Sequence, residues 1–222
     1  MGRKRGQVLP VPAVLVVGTG ASLGSVFLFG KLADEILEHE SMALDKRLVE
    51  DAREMRSSTL DKAMSAVTTL GEPWALGVAG AVVGLVWLTE DRKADLITWA
   101  SALVGSGLLN ELLKRRFHRA RPALKLRRAH ATGYSFPSGH AMMTLSTYGT
   151  LAYLVSRRGN LTRHPASSLI WAPVLLLSAL VGSSRVYLEV HYPTDVLAGW
   201  LAAIVWSTTC STARNFMEPE ES

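Results

Sequence analysis

The 222-residue chain has one cysteine, Cys210, which excludes an intrachain disulfide and any metal site built on clustered thiolates. It has no helix-turn-helix, no zinc-finger spacing and no aromatic-plus-basic RNA-binding pattern. The net charge of +5 and the pI near 9.6 therefore point away from nucleic acid and towards lipid headgroups, phosphate or membrane topology. No internal repeat, low-complexity tract or linker divides the sequence, which reads as a single domain over residues 1–222. One scarcity is local. Residues 114–136 contain no acid, yet carry Lys114, Arg115, Arg116, Arg119, Arg121, Lys125, Arg127 and Arg128.

What is abundant is apolar and blocked. Hydrophobic residues make up 48% of the chain, and they gather in charge-free blocks rather than amphipathic stripes, the pattern of a membrane protein. Residues 8–30 run for 23 positions without a charge, about 34 Å as a helix and enough to cross the hydrocarbon core. Arg3, Lys4 and Arg5 in front of it imitate a secretory signal, but the length favours an uncleaved first span. Further spans are expected over 73–89, 96–113, 137–156, 167–183 and 196–213, each bounded by charge or proline. Residues 41–64 place Leu44, Leu48, Ala52, Met55 and Thr59 at helical spacing and read as one amphipathic helix lying along the membrane surface. The expected fold is all-α: an integral-membrane bundle of six transmembrane helices plus that interfacial helix.

Loop charge orients the bundle. Arg3, Lys4, Arg5, Arg92, Lys93, Arg157, Arg158 and Arg163 fall on one side if the spans alternate, and that side should be cytoplasmic. Residues 31–72, on the other side, carry ten acids against six bases, which suits the exterior. The basic segment 114–136 then breaks the rule, and either anionic headgroups or a phosphate site explains it.

Three motifs favour the phosphate site. Lys114 precedes the Arg121-Pro122 pair at the exit of the third span; alone, such residues also snorkel or complement a helix dipole. Pro137-Ser138-Gly139-His140 opens the fourth span. Here a proline suits the first turn, free N–H groups attract anions, Ser138 adds a hydroxyl, Gly139 permits close approach, and His140 can give or take a proton. By itself this could be an ordinary cap. Ser184-Arg185 followed by His191 and Asp195 joins the fifth and sixth spans; Asp195, four residues after His191, can turn back to fix the imidazole tautomer and stabilise the charge that develops when His191 attacks. The motifs fall at the ends of four spans, on one side of the membrane.

Together they resemble the type 2 phosphatidic acid phosphatase superfamily, whose Lys-x6-Arg-Pro, Pro-Ser-Gly-His and Ser-Arg-x5-His-x3-Asp pattern is matched at every fixed position. The resemblance is most specific between Lys114 and Asp195. It implies that His191 attacks phosphorus to form a phosphohistidine, that Asp195 orients it, and that His140 protonates the leaving oxygen. Lys114, Arg121, Arg185, Ser138 and Gly139 would hold the phosphoryl oxygens, with no metal and no other cofactor. Arg115, Arg116, His118, Arg119, Lys125, Arg127, Arg128 and His130 match no fixed position and are assigned to surface electrostatics. Asn110 and Glu111 are left outside the site. Glu189 stands where a small residue is familiar, so an acid beside His191 is expected to modify phosphate affinity or leaving-group preference.

The expected activity is hydrolysis of a phosphomonoester or pyrophosphate lipid in a bacterial plasma (inner) membrane, with the site facing the extracytoplasmic side. The motifs do not read the lipid tail. Phosphatidylglycerophosphate, phosphatidate and undecaprenyl pyrophosphate rank together, and oligomeric state is not legible. A phosphotransferase would share the intermediate and differ only in acceptor. A vanadium haloperoxidase shares the pattern but not the spans, and a non-enzymatic lipid transporter would not need every catalytic position intact.

Overall fold

A computed structural model describes residues 11–38, 41–122, 129, 131–158 and 168–217. Arg3, Lys4, Arg5, Lys125, Arg127, Arg128, His130 and Arg163, and the start of the first expected span, lie outside the described residues. Among the described residues the chain is all-helical: α1 (Val11–Leu37), α2 (Met42–Glu54), α3 (Ser58–Thr69), α4 (Pro73–Thr89), α5 (Lys93–Phe117), α6 (Gly139–Arg158), α7 (Ser168–Tyr187) and α8 (Pro193–Met217).

Local chemistry sets the helix ends. α4 opens on Pro73, preceded by Glu72 in extended backbone; a proline there forfeits only an N–H that has no intrahelical acceptor. α5 carries Asp95 in its first turn and Lys114, Arg115 and Arg116 in its last, matching the helix dipole at both ends. It stops where His118 adopts the left-handed conformation, with φ 49° and its N–H on the Lys114 carbonyl at 3.1 Å.

α6 is the centre of the bundle, packed along α8, α5 and α7. Its buried face is small and polar, with Thr144, Ser146, Thr147, Gly149, Thr150 and Ser156, residues that let helix backbones approach closely. The closest approach is to α8, where a Cβ on Gly199 would lie 2.6 Å from the Ser138 carbonyl. α1 packs on α8, α4 on α5 and α3 on α7, while α2 touches both α7 and α8.

α5, α7 and α8 are each long and apolar enough to cross a membrane, and α3 with α4, bent by 50°, makes a fourth candidate. α6 falls short of the same measure because its interior face is serine and threonine, and the side chains at 11–17 in α1 lie outside the described residues. The outer surface is inverted relative to a soluble protein: Val82, Leu85, Val104, Leu108, Leu112, Leu175 and Leu176 are all more than half exposed, an apolar belt that suits hydrocarbon. This is a helical membrane protein; among the described residues three or four of the six expected crossings meet that measure.

The interfacial segment differs from the expectation for 41–64. It is two helices, broken where Ser57 is extended and its hydroxyl accepts the Leu60 N–H at 3.2 Å, an N-cap. Its inward face also differs. Asp45, Val49 and Ala52 are buried, whereas Leu44 is 59% and Met55 65% exposed. Asp45 takes the inward position because a buried arginine, Arg119, meets it at 2.6 Å; the apolar side chains turn outward, where lipid can cover them.

Candidate active site

The C-terminal ends of α5 and α7 and the N-terminal ends of α6 and α8 share one end of the bundle, so the up-and-down course of the chain gathers the three motifs. Phe29 of α1, Phe117 of α5 and Phe136 pack ring on ring, with centroids 4.9 to 6.1 Å apart. This cluster fixes the segment entering Pro137-Ser138-Gly139-His140 against two neighbouring helices.

His191 lies in the short loop between α7 and α8 and is 2% exposed. Its backbone N–H, like that of Val190, bonds the Arg185 carbonyl, at 3.2 and 3.1 Å respectively. Nδ1 is 3.4 Å from Asp195 Oδ2, and Nε2 is 2.8 Å from Arg121 Nη1. A guanidinium can only donate, so Nε2 bears the lone pair and the ring proton sits on Nδ1, facing the carboxylate. Asp195 is itself held from several directions: Tyr192 N–H donates to Oδ2 at 2.9 Å, the Ser135 hydroxyl also donates to Oδ2, and Arg119 Nη1 donates to Oδ1 at 2.6 Å. Burial pushes the His191 imidazole far below its usual value, to about 3; the charges of Arg121 and Arg185 act in the same direction and Asp195 opposes them. The arrangement is a neutral imidazole with its free lone pair set among cations.

Around that lone pair lie the groups expected to hold an anion. Arg121 spans the loop, donating through Nε to Gly133 O, through Nη2 to Thr132 O and through Nη1 to Val190 O, at 2.8 to 3.1 Å. Arg185 is 2% exposed; its Nη1 bonds Thr68 Oγ1 at 2.7 Å, and its Nε is buried without a partner. Lys114, in the last turn of α5, is close enough to Arg121, Arg185 and Asp195 to feel their charges. The Ser138 hydroxyl is buried and unpartnered, while its backbone N–H is used by the Asp195 carbonyl at 2.8 Å, so that donor is not free for an anion. Gly139 is the first residue of α6, and a Cβ there would lie 2.9 Å from Asn110 Oδ1. His140 Nε2 lies 3.1 Å from Glu72 Oε1, unaligned for a hydrogen bond and otherwise without a partner. Among the described residues no group of three or more His, Cys, Asp and Glu side chains could hold a metal ion. Such a set can bind an anion of about two charges beside a nucleophilic nitrogen and a proton donor.

Three side chains depart from their expected places. Arg119, assigned to surface electrostatics, is 6% exposed and bridges Asp195 to Asp45, which also accepts the Thr194 N–H at 3.1 Å and the Thr194 hydroxyl at 2.6 Å. A buried guanidinium must be paired, and two carboxylates and a hydroxyl do so here. Asn110, left outside the site, donates to the Pro137 carbonyl at 3.2 Å and braces the turn into α6. Glu189 is turned away from the phosphate groups and fully buried against Arg53 and Arg56, at 2.9 and 2.7 Å. Its left-handed backbone, φ 56°, directs it to the interfacial helix. Glu72 was unforeseen; the proline after it signalled a helix start, and nothing in the spacing announced His140.

Comparison with known proteins agrees with this geometry. The PAP2 superfamily model matches residues 95–217. Phosphatidylglycerophosphatase B of Bacillus subtilis is 33% identical over 178 residues, spanning 79% of this chain and 86% of that protein. Undecaprenyl-diphosphatase BcrC of the same species is 27% identical over 156 residues, spanning 67% and 72%. The crystal structure of the transmembrane PAP2 type phosphatidylglycerolphosphate phosphatase from Bacillus subtilis superposes with a TM-score of 0.83 at 25% identity, covering 90% of this chain and 98% of that one. On motif, fold and relatives together, the chain belongs to the PAP2 superfamily, among its membrane lipid phosphatases, and is a phosphoric ester hydrolase.

Proposed function

We propose that the protein removes the terminal phosphate of a membrane lipid through a phosphohistidine on His191, without a metal. The observation that carries this reading is the buried imidazole whose Nε2 lone pair meets a guanidinium while Nδ1 faces Asp195. In the first step a phosphoryl oxygen takes over the Arg121 contact, Nε2 attacks phosphorus, and the ester P–O bond breaks as His140 gives its proton to the leaving oxygen. Lys114, Arg121, Arg185, the Ser138 hydroxyl and the Gly139 backbone hold the equatorial oxygens. Water then attacks the phosphorus, His140 takes its proton, the P–N bond breaks, and phosphate leaves.

In this reading α1 and α4 to α8 make six crossings and form one domain, with α2 and α3 at the exterior interface of a bacterial plasma membrane. Support comes from charge: Arg92, Lys93, Arg157 and Arg158 lie at the end of the bundle opposite the site, as positive residues on the cytoplasmic side do. Phosphatidylglycerophosphate, phosphatidate and undecaprenyl pyrophosphate are the candidate substrates. A phosphate-release panel over these lipids with purified protein, run in excess EDTA, tests the function. Release from at least one lipid, undiminished by EDTA, is expected; activity that requires added metal overturns the mechanism.

The depressed His191 value sets a pH dependence. An imidazole with the ordinary value of about 6.5 is roughly 90% protonated at pH 5.5 and would lose its lone pair. His191, at about 3, stays neutral, so lowering the pH from 7 to 5 leaves the nucleophile intact. Lower pH also favours the protonated His140 that serves the leaving oxygen, so kcat/KM, corrected for substrate ionisation, is expected to hold or rise, and to fall by no more than about threefold, across that range. A tenfold loss with a midpoint near 6.5 would show an ordinary histidine at the centre.

A further inference from the structure

The corner between α3 and α4 forms a wall of the site that none of the three motifs includes. Thr68 at the end of α3 accepts from Arg185. Gly71 is pressed so closely on the catalytic helix that a Cβ would lie 2.8 Å from Thr144 Oγ1 and 3.3 Å from His140 Cδ2. Glu72 then sets its carboxylate 3.1 Å from His140 Nε2. Its side chain is 37% exposed and makes no capping bond to α4. Helix capping therefore does not account for the carboxylate, which is partly exposed and lies beside His140.

We propose that Glu72 determines leaving-group specificity: it makes this enzyme a phosphatase for phosphomonoesters of an alcohol and disfavours diphosphates. The inference rests on the mechanism above, in which His140 serves the leaving oxygen. Through its contact with His140, Glu72 then lies on the leaving-group side, although its charge also reaches Arg185. With a monoester, the P–O bond breaks, the leaving oxygen takes a proton from His140, and a neutral alcohol departs; its hydroxyl can donate to the Glu72 carboxylate. With a diphosphate, the leaving oxygen belongs to a second phosphate, which keeps its negative charge after the same proton transfer and must depart past a carboxylate. Like charges about 5 Å apart in a partly dry site are worth a tenfold or larger penalty in rate. Lys114, Arg121 and Arg185 attract both substrate classes, so they do not provide this discrimination; repulsion does. Leaving-group preference, expected of Glu189, is thus relocated to an acid on another element.

The test compares kcat/KM for a short-chain phosphatidylglycerophosphate and for farnesyl diphosphate, using the full chain in detergent micelles. The wild type is expected to favour the monoester at least tenfold. Glu72→Gln should shrink that ratio about tenfold, chiefly by accelerating the diphosphate, and Glu72→Asp, which keeps the charge, should keep most of the preference. Equal wild-type rates on the two classes overturn the proposal, as does a ratio unchanged in Glu72→Gln. A wild type that releases phosphate from neither class overturns the phosphatase reading itself and this inference with it. Release from either class with an unchanged ratio leaves that reading standing and overturns the role of Glu72 alone.

Discussion

Purified His191→Asn is expected to release phosphate at least about 10⁴-fold more slowly than the wild type, because in the proposed mechanism it removes the nucleophile and leaves only binding and electrostatic assistance. Asparagine keeps one hydrogen-bonding group near Asp195 and Arg121, so the loop between α7 and α8 should keep its fold. The loss is therefore expected in kcat, with thermal stability close to wild type. The loop's independent anchors support this: the Val190 and His191 N–H groups on the Arg185 carbonyl, the Tyr192 N–H on Asp195, and the Glu189 ion pairs with Arg53 and Arg56. A variant retaining a tenth or more of wild-type kcat would place the attacking atom elsewhere.

Arg119→Met is the second large effect, and it separates positioning from surface electrostatics. Arg119 stands between Asp45 and Asp195, each at 2.6 Å, with all three side chains buried. Removing the guanidinium leaves two buried carboxylates uncompensated, a change that typically costs about 3–5 kcal/mol. It also frees Asp195 Oδ1, so the carboxylate that faces His191 Nδ1 can rotate, and loss of such a supporting contact typically costs about 10–100-fold. The thermal midpoint is expected to fall sharply, and kcat, measured well below that midpoint, should fall 10–100-fold with little change in KM. Arg119→Lys should recover little of either, since a single ammonium cannot reproduce the fork that meets both acids. A surface residue would give neither loss.

The contrast between Arg119 and the motif residues shows what was legible. The apolar blocks located α4 to α8 to within about four residues, and 73–89 coincides with α4, because charges and prolines mark where a buried or lipid-covered helix has to end; α1 instead runs past the first charge to Leu37, seven residues beyond the expected end. The motif residues were legible because chemistry fixes their types and spacing: Asp195 follows His191 by four residues in sequence, while Pro137, expected in the first turn of the fourth span, lies two residues ahead of α6, which starts at Gly139. Arg119 and Glu72 were not, since their partners lie in other elements; Asp45 is 74 residues from Arg119, and no local pattern encodes such a pairing. The break at Ser57 carried a readable cap, serine before a helical run, masked by the continuous amphipathic period on both sides. The rotation of α2 was hidden for a different reason. Apolar periodicity identifies a face that avoids water but does not say whether protein or lipid covers it, and here one buried acid decided the matter.

The most direct measurement is the covalent intermediate. Purified protein mixed with substrate carrying ³²P in its terminal phosphate, quenched within one turnover, and digested under alkaline conditions that preserve phosphohistidine, should yield label on the peptide containing His191. The label should be acid-labile and absent from His191→Asn. Label on another residue, or complete turnover with no labelled protein at any quench time, contradicts the account.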